Sequence, residues 1–251
     1  MLSIRGVSKS FGALQALKDV SFEVQTNQIH GIIGPNGSGK TTLFNCISGH
    51  LRPESGSIQL EGRPLTGLKP HAIANFGVRR TFQAGKLVNS LTVLENVMAG
   101  VYEFRGRDYW DTFFRLPGRP SRREQAIEQR ARESLAEVGL AGSADRFAVD
   151  LVWAERQFVQ IARAMVARPK LMLLDEPNSG MGARDTERIE AVIRGLRGLG
   201  ITVVVISHDV KMLMGLSDWV TVLNFGRTIA AGKPEAVQKD PKVLEAYLGA
   251  E

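Results

Sequence analysis

The segment IHGIIGPNGSGKTTLFNCISGHL, residues 29–51, constrains this chain more than any other. A short apolar run leads straight into Gly34 to Thr41, which fits G-x-x-x-x-G-K-[ST] at every fixed position. Behind the loop, Leu43, Ile47 and Leu51 recur at helical spacing. Strand, glycine-rich turn and helix form the context in which such a loop wraps phosphate. Glycines let successive backbone N–H groups curl inward at phosphate oxygens, and the helix N-terminus adds a favourable dipole. Residues Asn36, Gly37, Ser38, Gly39, Lys40, Thr41 and Thr42 are the expected cradle. Lys40 would reach the β- and γ-phosphates of a nucleotide, and the Thr41 hydroxyl would ligate Mg2+. A glycine-rich turn without a ligand is the plain alternative, and the flanking strand and helix weigh against it.

A second segment, LMLLDEP (171–177), reads as a buried strand ending in two carboxylates. Asp175 is placed to hold the Mg2+ shell, and Glu176 to polarise a water attacking the γ-phosphate. Two solvated acids, or Asp175 capping the next helix, is the alternative. Open α/β sheets bind ligands at this end of their strands, which favours the functional reading.

The remaining chain supports one large domain. Its 251 residues are 43% hydrophobic, enough for an ordinary packed core. No run of about 18 apolar residues suggests a membrane span. The N-terminus MLSIRGVSKSFG lacks the apolar region of a secretory signal. Cys46 is the only cysteine, so no internal disulfide forms and a reducing compartment is expected. The formal charge of +6 fits a basic soluble surface before it fits a nucleic-acid or lipid patch. The arginines of Glu103 to Glu124 read as a solvated insertion. Strand-like segments alternate with helical ones, GSIQLEG and GVRRTFQ before a polar helical block, then LMLLDEP, DTERIEAVIRGLRGLG and ITVVVISHD. That order predicts a parallel α/β sheet with a helical block inserted into it, and a hairpin turn at NFGR.

These motifs, in this order, resemble the ATP-binding subunit of ABC transporters over nearly the whole chain. The resemblance implies a P-loop NTPase fold with a mostly parallel core sheet, an N-terminal antiparallel β subdomain and an inserted α-helical subdomain. Residues 1–90 and 151–251 would form the nucleotide-binding core, and about 91–165 the helical subdomain. It implies ATP and Mg2+ as ligands. Phe11 in KSFGALQAL matches the aromatic that stacks on adenine, a core Phe being the alternative. Gln83 in RTFQ matches the glutamine that touches Mg2+ and the attacking water, and His208 in ISHD the switch histidine that contacts the γ-phosphate. A finer resemblance, in GLKPHAIANFGVRRTFQ, LTVLENVMAG and DPKVLEAYLG, is to the LivG-like branch that serves branched-chain amino acid importers. Relatives carrying urea or amides, and a non-transport ABC ATPase acting on nucleic acid, are the alternatives. The latter usually carry two ATPase domains or long coiled coils, which this chain does not.

Two motifs depart from the family. Its signature is close to L-S-G-G-Q, and two chains associate head to tail so that one signature covers the other chain's γ-phosphate. Aligned on QIARAM, this chain reads Leu151-Val152-Trp153-Ala154-Glu155. Val152 has no hydroxyl, and Ala154 adds a methyl where backbone and phosphate would meet; Glu155 is a smaller change. After LLDEP, Gly182-Ala183 stands where the family's D-loop carries Asp or Asn-Pro. Elements that serve the chain's own nucleotide match the pattern, and both elements that serve a partner's depart from it. The expectation is therefore a heterodimer with a second ATP-binding subunit, a homodimer of reduced rate being the alternative, and low turnover by the isolated chain. The implied setting is the cytoplasmic face of the cell membrane, on permease subunits, served indirectly by a periplasmic binding protein and without nucleic acid.

Overall fold

A computed structural model describes residues 1–81, 87–102 and 121–248. Gln83 and most of the arginine-containing segment lie outside the described residues.

Three five-residue strands form the centre: β3 (Ile29–Ile33), β7 (Leu171–Asp175) and β8 (Thr202–Ile206), with every residue buried. Continuous apolar runs of this kind suit parallel strands covered on both faces. With β6 (Val78–Arg80), β9 (Trp219–Asn224) and β10 (Arg227–Gly232) they make a six-stranded sheet in the order β10-β9-β3-β8-β7-β6. All pairings are parallel except the β9–β10 hairpin, which turns at Phe225-Gly226 as the sequence predicts. A second, antiparallel sheet, order β2-β1-β4-β5, comprises β1 (Leu2–Phe11), β2 (Leu14–Val24), β4 (Ser55–Leu60) and β5 (Arg63–Pro64).

Alternation along the central strands separates two cores. Ile29, Ile33, Met172, Leu174, Val203 and Val205 join the helical side. Ile32, Leu171, Leu173, Val204 and Ile206 face the antiparallel sheet and α1 (Lys40–Ile47). A short α2 (Pro70–Asn75) precedes β6. The helical block is α3 (Val93–Tyr102), α4 (Arg122–Glu137) and α5 (Trp153–Met165). Thr92 and Glu95, and Ser121 and Glu124, exchange side-chain and backbone hydrogen bonds at the starts of α3 and α4. These capping boxes satisfy N–H groups that a helix start leaves orphaned. α6 (Ala183–Gly198), α7 (Val210–Leu216), α8 (Pro234–Val237) and α9 (Pro241–Leu248) complete the chain.

The sheet carries one buried titratable group far from the loops. His30 in β3 is fully buried, stacks on Phe22 at 5.2 Å and shares a 2.9 Å hydrogen bond between Nε2 and Thr221 Oγ1. Burial lowers its pKa to about 4 from 6.5. The folded state therefore keeps His30 neutral while the unfolded chain takes up a proton below pH 6.5. Its contribution to stability is complete above pH 6.5 and is lost as pH falls toward 4. The expected loss between pH 7 and pH 5 is about 2 kcal/mol. Urea unfolding at the two pH values checks this; His30→Gln should be less stable at pH 7 yet show a smaller drop.

Candidate active site

The C-terminal ends of β3, β7 and β8 lie side by side, which brings three sequence-distant motifs together. β3 runs into the loop 34–39, and α1 begins at Lys40 with Gly39 as its N-cap at φ 105°. Lys40 curls back across the loop, its Nζ donating to the carbonyls of Gly34 (2.7 Å) and Pro35 (2.9 Å). The ammonium is thus held where a phosphate oxygen would replace those carbonyls. Burial lowers its pKa, and the charges of Glu176 and Asp175 oppose that shift. Lys40 and the two carboxylates share one electrostatic site. Ser38 is buried, whereas Asn36, Gly37 and Thr41 are exposed, and Gly39 and Thr42 intermediate.

Two of the loop glycines are sterically required. A Cβ at Gly34 would lie 2.0 Å from the Leu223 carbonyl, and one at Gly39 would lie 2.5 Å from that of Ala16. At Gly39 the positive φ adds backbone strain of about 1–3 kcal/mol for any other residue. Gly39→Ala is expected to keep the fold and to weaken nucleotide binding by about tenfold or more, as read by fluorescent-nucleotide titration.

Glu176 follows β7 at φ 51°, a left-handed conformation unusual for a non-glycine residue, and its N–H continues the ladder to the Ile206 carbonyl at 2.9 Å. Its carboxylate is pinned by His208, whose Nδ1 lies 2.5 Å and whose backbone N lies 3.3 Å from Oε2. The expected general base and switch histidine are therefore in direct contact. Next to them, Asn178 accepts from Ser207 Oγ (2.8 Å) and donates to Asp209 (3.4 Å), so the loop after Glu176 is tied to the loop carrying His208. Phe11 is half exposed at the end of β1, with Lys9 Nζ 5.7 Å from its ring centroid. That position excludes the core reading of Phe11.

The altered signature opens helix α5, which starts at Trp153 with Val152 as its N-cap. Phe158, Ile161, Ala162, Met165 and Val166, spaced along one helical face, are buried. Val152 is 64% exposed and offers no cap of its own. Glu155 accepts from the Val152 N–H at 3.1 Å and pairs with Arg146 at 2.8 Å. Arg146 and Arg156 also donate to the carbonyls of Asp150, Leu151 and Val149. Glu155 and two arginines thus hold the helix start in place of a serine cap. Ala154 differs from its sequence reading: it is nine-tenths buried in the helical core, so its methyl is not displayed toward a ligand. Trp153 is half exposed and donates Nε1–H to the Ser179 carbonyl at 2.8 Å, joining the helix start to the loop that contains Gly180 and Gly182. Gly182 caps α6 without a side chain.

Arg80, in GVRRTFQ, is assigned no role by the sequence motifs. It forms a 2.7 Å ion pair with Asp175 Oδ2, both side chains buried. Among the described residues no hydrogen bond is made to Asp175 Oδ1, which leaves that oxygen for a cation. The described residues hold no group of three His, Cys, Asp or Glu that would cage a metal. Mg2+ needs none, since it is commonly held by one or two carboxylates together with substrate phosphates. Thr41 Oγ1 and Asp175 Oδ1 are hard oxygen donors of that kind, and they fit the ion.

Phosphate loop, Lys40, the paired strand-end carboxylates and His208 beside them define a P-loop nucleotide hydrolase. More narrowly, the chain belongs to the ABC transporter family: the model of that name matches residues 17–179. A further model, branched-chain amino acid ATP-binding cassette transporter, matches residues 227–251. The high-affinity branched-chain amino acid transport ATP-binding protein BraF of Pseudomonas aeruginosa is 37% identical over 250 residues, 99% of this chain and 98% of that one. LivG of Escherichia coli (strain K12), described in the same words, is 36% identical over the same coverage. The crystal structure of the ADP conformation of an ATP-binding cassette from an ABC transporter superposes with a TM-score of 0.87 at 32% identity, covering 99% of this chain and 98% of that chain. The family binds and hydrolyses ATP, and its importer members work with membrane permease subunits. No helix among the described residues is long and apolar enough to cross a membrane.

Proposed function

We propose that this chain is the ATP-binding and ATP-hydrolysing subunit of an importer for branched-chain amino acids, bound to its permease at the cytoplasmic face of the membrane. The observation that carries this reading is the end-to-end likeness to BraF and LivG, including the C-terminal segment 227–251. Within the site, Lys40 exchanges its loop carbonyls for phosphate oxygens. Glu176, oriented by its left-handed backbone and by His208, takes the proton of the attacking water. Thr41, Asp175 and Gln83 are the residues that would hold Mg2+, which neutralises developing charge on the phosphates. Phe11, half exposed at the end of β1, stacks on the adenine. The segment of about 91–165 acts as the helical subdomain that passes closure to the permease.

The partner is a second, different ATP-binding subunit. A head-to-tail dimer places Val152 of this chain over the other subunit's γ-phosphate, where the family offers a serine hydroxyl. Supporting Val152 as the seat of the deficit, its side chain is exposed and carries no donor, whereas Glu155 is engaged with Arg146 and Ala154 with the core. The site built on this chain's own Lys40 and Glu176, covered by an intact partner signature, would be the faster of the two. Uptake of radiolabelled leucine in cells lacking this chain, with and without its re-expression, tests the transport assignment. Undiminished uptake, or failure of the chain to co-purify with a tagged permease, counts against it.

A further inference from the structure

Arg80 closes β6, three residues before Gln83, and its side chain is buried with that of Asp175 at 6% and 7% exposure. Nη2 donates to Asp175 Oδ2 at 2.7 Å. Nη1 donates to Asn45 Oδ1 at 2.7 Å and to Ser48 Oγ at 3.1 Å, at the C-terminal end of α1. The guanidinium also lies 5.5 Å from the Phe44 ring centroid. One side chain therefore ties together the strand leading to Gln83, the helix behind the phosphate loop and the strand that ends in Asp175.

We propose that Arg80 is a positioning residue that serves as the resident counter-charge of Asp175 and shares that carboxylate with the divalent cation of the bound nucleotide. The proposal rests on the reading of Asp175 as the metal carboxylate. A buried carboxylate without a partner is strongly unfavourable, so the site needs a positive charge whenever no cation is bound. Arg80 supplies it permanently, and its planar fork presents one nitrogen to Asp175 and another to Asn45 and Ser48, whereas a lysine would serve all three from a single nitrogen. Because Oδ2 is committed to Arg80, the cation is offered Oδ1 of a carboxylate already half-neutralised. The site keeps its shape between turnovers and holds the cation less tightly than an unshared carboxylate would. A core ion pair of purely structural purpose would stabilise the fold in the same way but would leave cation affinity unchanged.

The test is a Mn2+ titration of the purified chain in excess ADP, following the electron paramagnetic resonance of free Mn2+. Arg80→Gln should bind Mn2+ about tenfold more tightly, the size of removing one like charge beside a divalent ion at solvent-like screening. Arg80→Lys keeps the charge and should stay near wild type, while Asp175→Asn should bind more weakly. In EDTA without nucleotide, Arg80→Gln should melt below wild type. The double variant with Asp175→Asn should melt above Arg80→Gln, because both halves of the pair are then gone. Unchanged or weaker Mn2+ binding by Arg80→Gln, or a double variant no more stable than the single one, overturns the proposal. Should Arg80→Gln fail to fold, the double variant still decides, and tighter Mn2+ binding by Arg80→Lys also overturns it. If Asp175→Asn binds Mn2+ like wild type, it is the metal-carboxylate reading that fails, whatever Arg80→Gln does.

Discussion

Glu176→Gln is expected to bind ATP as the wild type does and to turn it over about 10²–10⁴ times more slowly, the range for losing a positioned general base. The substitution keeps size and a hydrogen-bonding oxygen but removes the proton acceptor. Its selectivity follows from geometry: the Glu176 backbone N–H is fixed to Ile206, so the side chain stays aimed by the strand end even when its charge is gone. Phosphate binding resides in Lys40 and the loop, which do not depend on Glu176 for their hydrogen bonds. His208→Ala should produce a smaller loss, since it frees the carboxylate without removing it. Equal binding with lost turnover, measured by nucleotide titration and phosphate release, separates catalysis from affinity. A Glu176→Gln variant of normal turnover would place the base elsewhere.

Addition of a second ATP-binding subunit with an intact signature should raise turnover at the Lys40–Glu176 site of this chain by about 10- to 150-fold. That range is the kinetic value of one hydrogen bond of about 1.5–3 kcal/mol to a charged group, made only in the transition state. The chain by itself lacks that donor, because Val152, the exposed N-cap of α5, has no hydroxyl and the Trp153 Nε1–H is engaged with Ser179. The gain should vanish when Glu176→Gln is present in this chain, and persist when the partner's own base is removed. A gain with the opposite dependence would mean that the faster site is the partner's.

Much of the fold is legible because LMLLD and TVVVI are near-continuous apolar runs that suit covered parallel strands, and IHGII leads straight into the phosphate loop; each strand is followed at once by a motif residue or loop at the C-terminal edge of the sheet. The phosphate loop was equally plain, since its glycines answer to local backbone geometry. The pairings that organise the site were not. Arg80 meets Asp175 across 95 residues and Trp153 meets Ser179 across 26, and neither contact leaves a periodic trace. How the start of α5 is held is not legible in the sequence, for a local reason. Val152-Trp153-Ala154 lacks a side-chain cap, and the compensating Glu155–Arg146 pair involves a residue outside the helix. Alignment alone places the Ala154 methyl toward a ligand, whereas helix packing turns it into the core.

The position of Ala154 narrows the decisive substitution to one residue. Ala154→Gly removes a buried methyl from the first turn of a helix and should cost stability of about 1 kcal/mol with no gain in rate. Val152→Ser restores a hydroxyl at an exposed N-cap and should also firm the helix start. The most direct measurement is steady-state ATP turnover of the isolated chain at saturating Mg-ATP, wild type against Val152→Ser. A rise of about tenfold or more, abolished by adding Glu176→Gln, is the expected result. Equal rates for the two proteins, with ATP bound equally well, would contradict the assignment of Val152 as the weakened half of the site.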